Sequence, residues 1–200
     1  MKRNVLEYMR ILKLDSEINE PVLNIAIDTI KKDKQALVFV NTKRSAEKVA
    51  EDISKKLMPV LEMEEISIEA ETVLANPTKQ CMRLSKILKK GIAFHHAGLH
   101  ARQREIIEDN FREGKIKVIC STPTLAAGLD LPAYRAIIRD LKRHGGTWGM
   151  VNIPVLEYHQ MAGRAGRPGK DDHGEAITIA KSKDEEDEIR EEYIRGLPEK

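Results

Sequence analysis

The 200-residue chain is short of cysteine, aromatics, net charge and long apolar runs. Each scarcity excludes something. Its two cysteines, Cys81 and Cys120, stand 39 positions apart with no CxxC spacing. That excludes a disulfide framework and a zinc-finger pattern, and it fits a reducing compartment. Lys and Arg number 34 against 32 Asp and Glu, so a formal charge of +2 announces no polyanion partner by itself. No apolar run approaches the ~20 residues of a membrane span. The opening Met1–Glu7 lacks the long apolar stretch of a secretory leader. The expectation is a cytoplasmic protein with no membrane partner. Asn and Gln supply 11 residues while Lys and Glu supply 41, a bias that leans towards a thermophile. There is also no GxxxxGK[ST] run, so no loop of that type cradles a nucleotide's phosphates.

What is present is enough for a core. Hydrophobic residues make up 41%, and the length suits one domain over residues 1–200. The charges cancel globally but not locally. Lys79–Lys117 holds ten basic residues and four acidic ones, and Arg139–Lys170 holds six and two. These stretches suit a polyanion-binding face if the fold joins them, and solvated helix faces otherwise. Asp184–Glu199 is the reverse, with eight acidic residues and two basic.

Periodicity predicts a loose helical stripe at Val5, Leu6, Met9 and Leu12, within an N-terminal extension of about 20 residues. Pro21 suits the first turn of a helix reaching about Lys32. Ala36–Val40 is a short unbroken apolar run, the mark of a strand buried on both faces. Asn41 or Thr42 caps the helix that carries Ala46, Val49, Ala50, Ile53 and Leu57. Residues 54–90 read as a helical insert. Gly91–His96, Ile116–Cys120, Ala133–Leu141 and Glu175–Ala180 read as further strands. Helices are predicted over Ala101–Glu113 and Val155–Ala162. Gly145-Gly146 marks a hairpin turn between Lys142 and Trp148, and Ser182–Glu185 a capping box opening a last helix, ended by Gly196 and Pro198. Alternating strands and helices predict an α/β fold, a mostly parallel sheet covered on both faces. Ligands in such sheets gather at the carboxyl ends of the strands.

Four loops carry chemistry-bearing residues. Gln160-Met161-Ala162-Gly163-Arg164-Ala165-Gly166-Arg167-Pro168-Gly169 sets two arginines among glycines. Arginine offers forked donors that suit phosphate oxygens, and glycine lets backbone approach a ligand. Ser121–Pro132 follows a strand with hydroxyls, Gly128 and Asp130, which suits a ribose hydroxyl. Phe39–Ala46 and His95–Leu99 are the other two. Any one alone is weak evidence.

Together and in this order they resemble the second RecA-like domain of superfamily 2 helicases. FVNTKRSAE resembles motif IV, FHHAGL the motif after it, CSTPTLAAGLDLP motif V and QMAGRAGRPG motif VI. The wording is similar to the superkiller-like group, and within it to the archaeal Hjm-type DNA repair helicases. The likeness is strong over Ala36–Ser45 and Gly91–Gly169. It implies a RecA-like three-layer domain that works on DNA, 3′ to 5′, with ATP and Mg²⁺ shared with a first RecA-like domain. It implies that Arg167 is the arginine finger for the γ-phosphate, with Arg164 beside it and Gln160 near the phosphates. Gly128 and Asp130 would border the nucleotide. Asn41, Arg44, His96, Gly98 and Thr122 would face the phosphates of the tracked strand. Arg139–Ile153 would be the hairpin that splits the duplex, with Trp148 near its far arm, or else a plain hydrophobic anchor. Asp130 departs from the Asn common in this group.

No Walker A loop and no DExH-type run is present, so the chain by itself is expected to hydrolyse no ATP. Two rivals stand beside the DNA motor: an RNA helicase domain of the same group, and a non-catalytic nucleic-acid-binding module. A complete α/β enzyme such as a nucleotide transferase fits poorly, since no paired catalytic carboxylates are evident. His95, His96 and His100 lie close in sequence, but a strand would turn the first two to opposite sides, so no metal site is expected.

Overall fold

A computed structural model describes residues 20–128 and 130–197. The stripe at Val5–Leu12 and the breaker Pro198 lie outside the described residues. The first described helix is α1 (Pro21–Lys31), with proline in its first turn. β1 (Ala36–Phe39) follows, then α2 (Lys43–Ser54), whose N-cap Thr42 accepts a hydrogen bond from the Ser45 amide at 3.0 Å. Ala46, Val49, Ala50 and Ile53 form its buried side, while Leu57 falls in the turn beyond.

Within residues 54–90 lie two helices, α3 (Glu64–Thr72) and α4 (Lys79–Leu88), joined by turns. Both enter the core through Ile66, Ala70, Leu84, Ile87 and Leu88. Next come β2 (Ile92–His95), α5 (Ala101–Arg112), β3 (Val118–Ser121), the short α6 (Thr124–Gly128) and β4 (Arg135–Ile138). β5 (Lys142–His144) and β6 (Met150–Asn152) make an antiparallel hairpin. Its connection is five residues long, not a two-glycine turn, so Trp148 stands in the connection rather than on the second arm. α7 (Val155–Ala162) and β7 (Glu175–Thr178) lead to α8 (Lys183–Ile189), continued by a wider helical turn over Arg190–Ile194. At the start of α8 the Ser182 hydroxyl accepts from the Glu185 amide at 3.1 Å. The Glu185 carboxylate answers one residue earlier than a capping box requires, on the Lys181 amide at 2.7 Å.

Five strands form one parallel sheet in the order β2-β3-β1-β4-β7. Every residue of β1 to β4 is buried, so successive side chains meet cover on both faces. β7, at one edge, is half-exposed. This is the α/β architecture that the sequence predicts. No described helix is long and apolar enough to cross a membrane.

Candidate functional site

The loops at the carboxyl ends of β1, β2 and β3 meet the hairpin root and α7 around a cleft of about 420 Å³. Asn41, Thr122, Asp140, Arg143, Glu157 and Gln160 are among its walls. Asn41 has work to do here. Its backbone amide donates to Asp140 Oδ2 at 3.1 Å, and its side-chain amide donates to the Lys142 carbonyl at 3.2 Å. It therefore ties the end of β1 to the hairpin root. Arg44 is exposed in the first turn of α2. Thr122 is half-buried at the end of β3, its carbonyl accepting from the Leu125 amide at 3.1 Å.

His96 is not where a phosphate contact needs it. Its side chain is 1% exposed and stacks flat on Phe94 at 5.5 Å between centroids. Nδ1 accepts from the Gly98 amide at 3.1 Å, which places the ring proton on Nε2, 3.2 Å from Glu47 Oε1. Burial pushes its pKa down, against the pull of Glu47, so the ring is neutral at neutral pH. The expectation that His96 faces the strand is corrected: both ring nitrogens are spent on the fold, and the residue shapes the loop that carries Gly98. A Cβ at Gly98 would lie 3.1 Å from the ring, so the close approach selects glycine. Glu47 also accepts from Gln80 and Arg83, each at 2.6 Å. Burial opposes its charge, yet these donors hold its carboxyl below the ordinary range.

The other two histidines of the His95–His100 stretch have separate tasks. His95 pairs with Glu108 at 2.9 Å, and His100 caps α5 by accepting from the Arg102 amide at 3.2 Å. Cys120 is fully buried, and burial pushes its thiol far up, which makes it a core residue and no nucleophile.

The arginine loop leaves α7 at Gly163 and is stitched to Ala133, two residues before β4. The Ala133 amide donates to the Arg164 carbonyl at 2.9 Å, and the Gly166 amide donates to the Ala133 carbonyl at 2.6 Å. On its other side Gly174 packs directly against the backbone of Ala165 and Gly166, leaving no space for a Cβ. Arg164 reaches towards α6. Its Nε and Nη2 donate to the Ala126 carbonyl at 3.1 and 2.6 Å, and Nη1 donates to Asp130 Oδ1 at 2.9 Å. So Arg164, Asp130 and the Gly128 end of α6 form one cluster. The Asp130 side chain is 94% exposed, open to a ligand from outside.

Arg167 points elsewhere. It grips Asp171 side-on, Nε to Oδ2 at 2.7 Å and Nη2 to Oδ1 at 2.9 Å. Its Nη1 donates to Gln35 Oε1 at 2.7 Å. Gln35 is fixed in turn, donating to the Phe111 and Ile116 carbonyls at 2.6 and 2.7 Å. Lys34 Nζ reaches Asp171 Oδ1 at 2.8 Å. The Arg167 hydrogen bonds hold the Asp171 carboxyl far below the usual carboxylate range, with Lys34 adding to them and burial opposing. Lys34 and Gln35 precede β1, so this cluster lies at the amino end of the sheet. Gln160 lines the cleft at the carboxyl end, so the structure does not gather Gln160 and Arg167 at one point.

Sequence reasoning missed Asp171, Lys34, Gln35 and Glu47. A signal existed for the first: Asp171 follows Arg167 by four residues through a Pro-Gly turn, and its amide donates to the Arg167 carbonyl at 3.0 Å.

Residues 17–169 match the family described as Helicase conserved C-terminal domain. Among curated proteins, the ATP-dependent DNA helicase Hel308 of Methanocella arvoryzae is 48% identical over 184 residues, covering 90% of this chain and 25% of that protein. The protein of the same name from Pyrococcus horikoshii is 48% identical over 179 residues, 88% of this chain and 24% of its own. That of Pyrococcus abyssi is 49% identical over 179 residues, again 88% and 24%. The chain thus spans about a quarter of the length of these relatives.

Proposed function

The chain belongs to the helicase conserved C-terminal domain family, and from that premise we propose that it is the second motor domain of an ATP-dependent DNA helicase. A first RecA-like domain would supply the phosphate-cradling loop. It would also supply the carboxylates that hold Mg²⁺ against the phosphates. The observation that carries the reading is the arginine loop. It is fixed to Ala133, just ahead of β4, and it sets Arg164 against Asp130.

In this reading the exposed Asp130 accepts from the ribose of ATP, Gly128 borders the nucleotide, and Arg164 and Arg167 neutralise charge developing on the transferred phosphoryl group. Gln160 would approach the phosphates from the wall of the strand cleft, which it lines. Arg44, Asn41, Gly98 and Thr122 face the phosphates of one DNA strand, as side-chain and backbone donors do. Closure of the two domains on ATP then advances the strand, 3′ to 5′, against the hairpin of β5 and β6. The relatives' names favour DNA over RNA. The arginine pair favours a motor over a plain binding module, which has no use for a γ-phosphate.

The test joins this chain to the first motor domain and replaces Arg167 by Ala. DNA-stimulated ATP hydrolysis is expected to fall by about 10³-fold or more, with nucleotide binding retained. Unchanged hydrolysis would overturn the reading and leave a strand-binding module.

A further inference from the structure

Arg167 spends three of its five N–H donors on Asp171 and Gln35, and its side chain is 15% exposed, so as it stands it has little of its fork to offer a phosphate. To act it must turn away from Asp171. Asp171 is 1% exposed, and stripping a buried carboxylate of its partner is strongly unfavourable. A second cation is already in place. Lys34 Nζ is 2.8 Å from Asp171 Oδ1, the oxygen that Arg167 Nη2 also uses. Lys34 does not depend on Arg167 for its position: its ammonium also lies 5.6 Å above the Tyr134 ring. Its side chain is one-third exposed, so it keeps part of its hydration while paired.

We propose that Lys34 is a positioning residue for Arg167, a stand-in cation that keeps Asp171 compensated while Arg167 turns out to the nucleotide. This rests on the reading of Arg167 as the group that meets the γ-phosphate. Lys34 touches no substrate. It lowers the cost of releasing a residue that does.

The experiment uses this chain joined to its first motor domain and follows DNA-stimulated ATP hydrolysis, nucleotide binding and thermal midpoint together. Lys34→Gln is expected to lower kcat by about tenfold, leaving nucleotide binding and midpoint near those of the unaltered protein. Lys34→Arg keeps the charge and is expected to restore turnover. In an Asp171→Asn background there is no buried charge to compensate, so Lys34→Gln is expected to change kcat by less than about twofold. A merely structural lysine would give equal losses in both backgrounds, and that result overturns the proposal. So does a Lys34→Gln protein that turns over normally while Arg167→Ala does not. If Arg167→Ala itself turns over normally, the reading of the site has failed and Lys34 falls with it.

Discussion

A neutral histidine buried between an amide and a carboxylate ties stability to pH. His96 has its pKa pushed below the ordinary value by burial, and His95 shifts the same way, with Glu108 opposing. Above about pH 6.5 both residues are neutral in folded and unfolded chains alike, and their contribution is intact. Below it the unfolded chain takes up protons that the folded one resists, so stability falls as pH falls. The urea midpoint of the isolated chain is expected to drop between pH 7.5 and 5.5. His96→Gln, which cannot titrate, should flatten that slope whatever it does to the midpoint itself; an unaltered slope would show that His96 is not the group responsible. Legibility at this scale was uneven. That Arg164 and Asp130 stand out in their loops was readable from composition; that they pair with each other at 2.9 Å was not, since 34 positions separate them. His96 was misread because one strand residue looks the same facing a ligand or facing Glu47. Lys34 and Gln35 were invisible because their partners stand 137 and 132 positions away.

Elements were more legible than residues. Short, largely apolar stretches at Ala36–Val40, Gly91–His96 and Ile116–Cys120 predicted β1 to β3, because a strand buried on both faces shows little polar alternation. The hairpin was located, but its turn was not, since Gly-Gly permits more than one connection. That difference decides the role of Trp148. A hydrophobic anchor would be covered, and Trp148 is 84% exposed in the connection between β5 and β6. Trp148→Ala is therefore expected to shift stability by no more than about 0.5 kcal/mol, as other exposed substitutions do. In the two-domain protein the same change should lower the number of base pairs opened per ATP hydrolysed while hydrolysis continues. A loss of stability well beyond that bound, measured by denaturant titration, would mean that the ring packs on the domain.

At the scale of the whole molecule, the parallel sheet followed from the alternation of elements, whereas the strand order β2-β3-β1-β4-β7 did not, since local pattern says nothing of which strands become neighbours. The two ends of that sheet differ in what they carry. One presents a cleft walled by Asn41, Lys43 and Arg143, and the other holds the cation cluster of Lys34 and Arg167 around Asp171. The isolated chain is expected to show no Mg²⁺-dependent ATP turnover and only weak binding of single-stranded DNA, falling steeply as salt rises. Hydrolysis by the purified chain, or binding indifferent to salt, would contradict this. The loop bearing both arginines is pinned on one side by Ala133 and wedged on the other by Gly174. It has no slack, and so it is a fixed jaw rather than a finger that curls. Any travel must come from the swing of the whole domain or from the guanidinium arms turning on a still backbone. A methyl group at position 174 would act as a shim between sheet and jaw, displacing both arginines at once from a site it never touches.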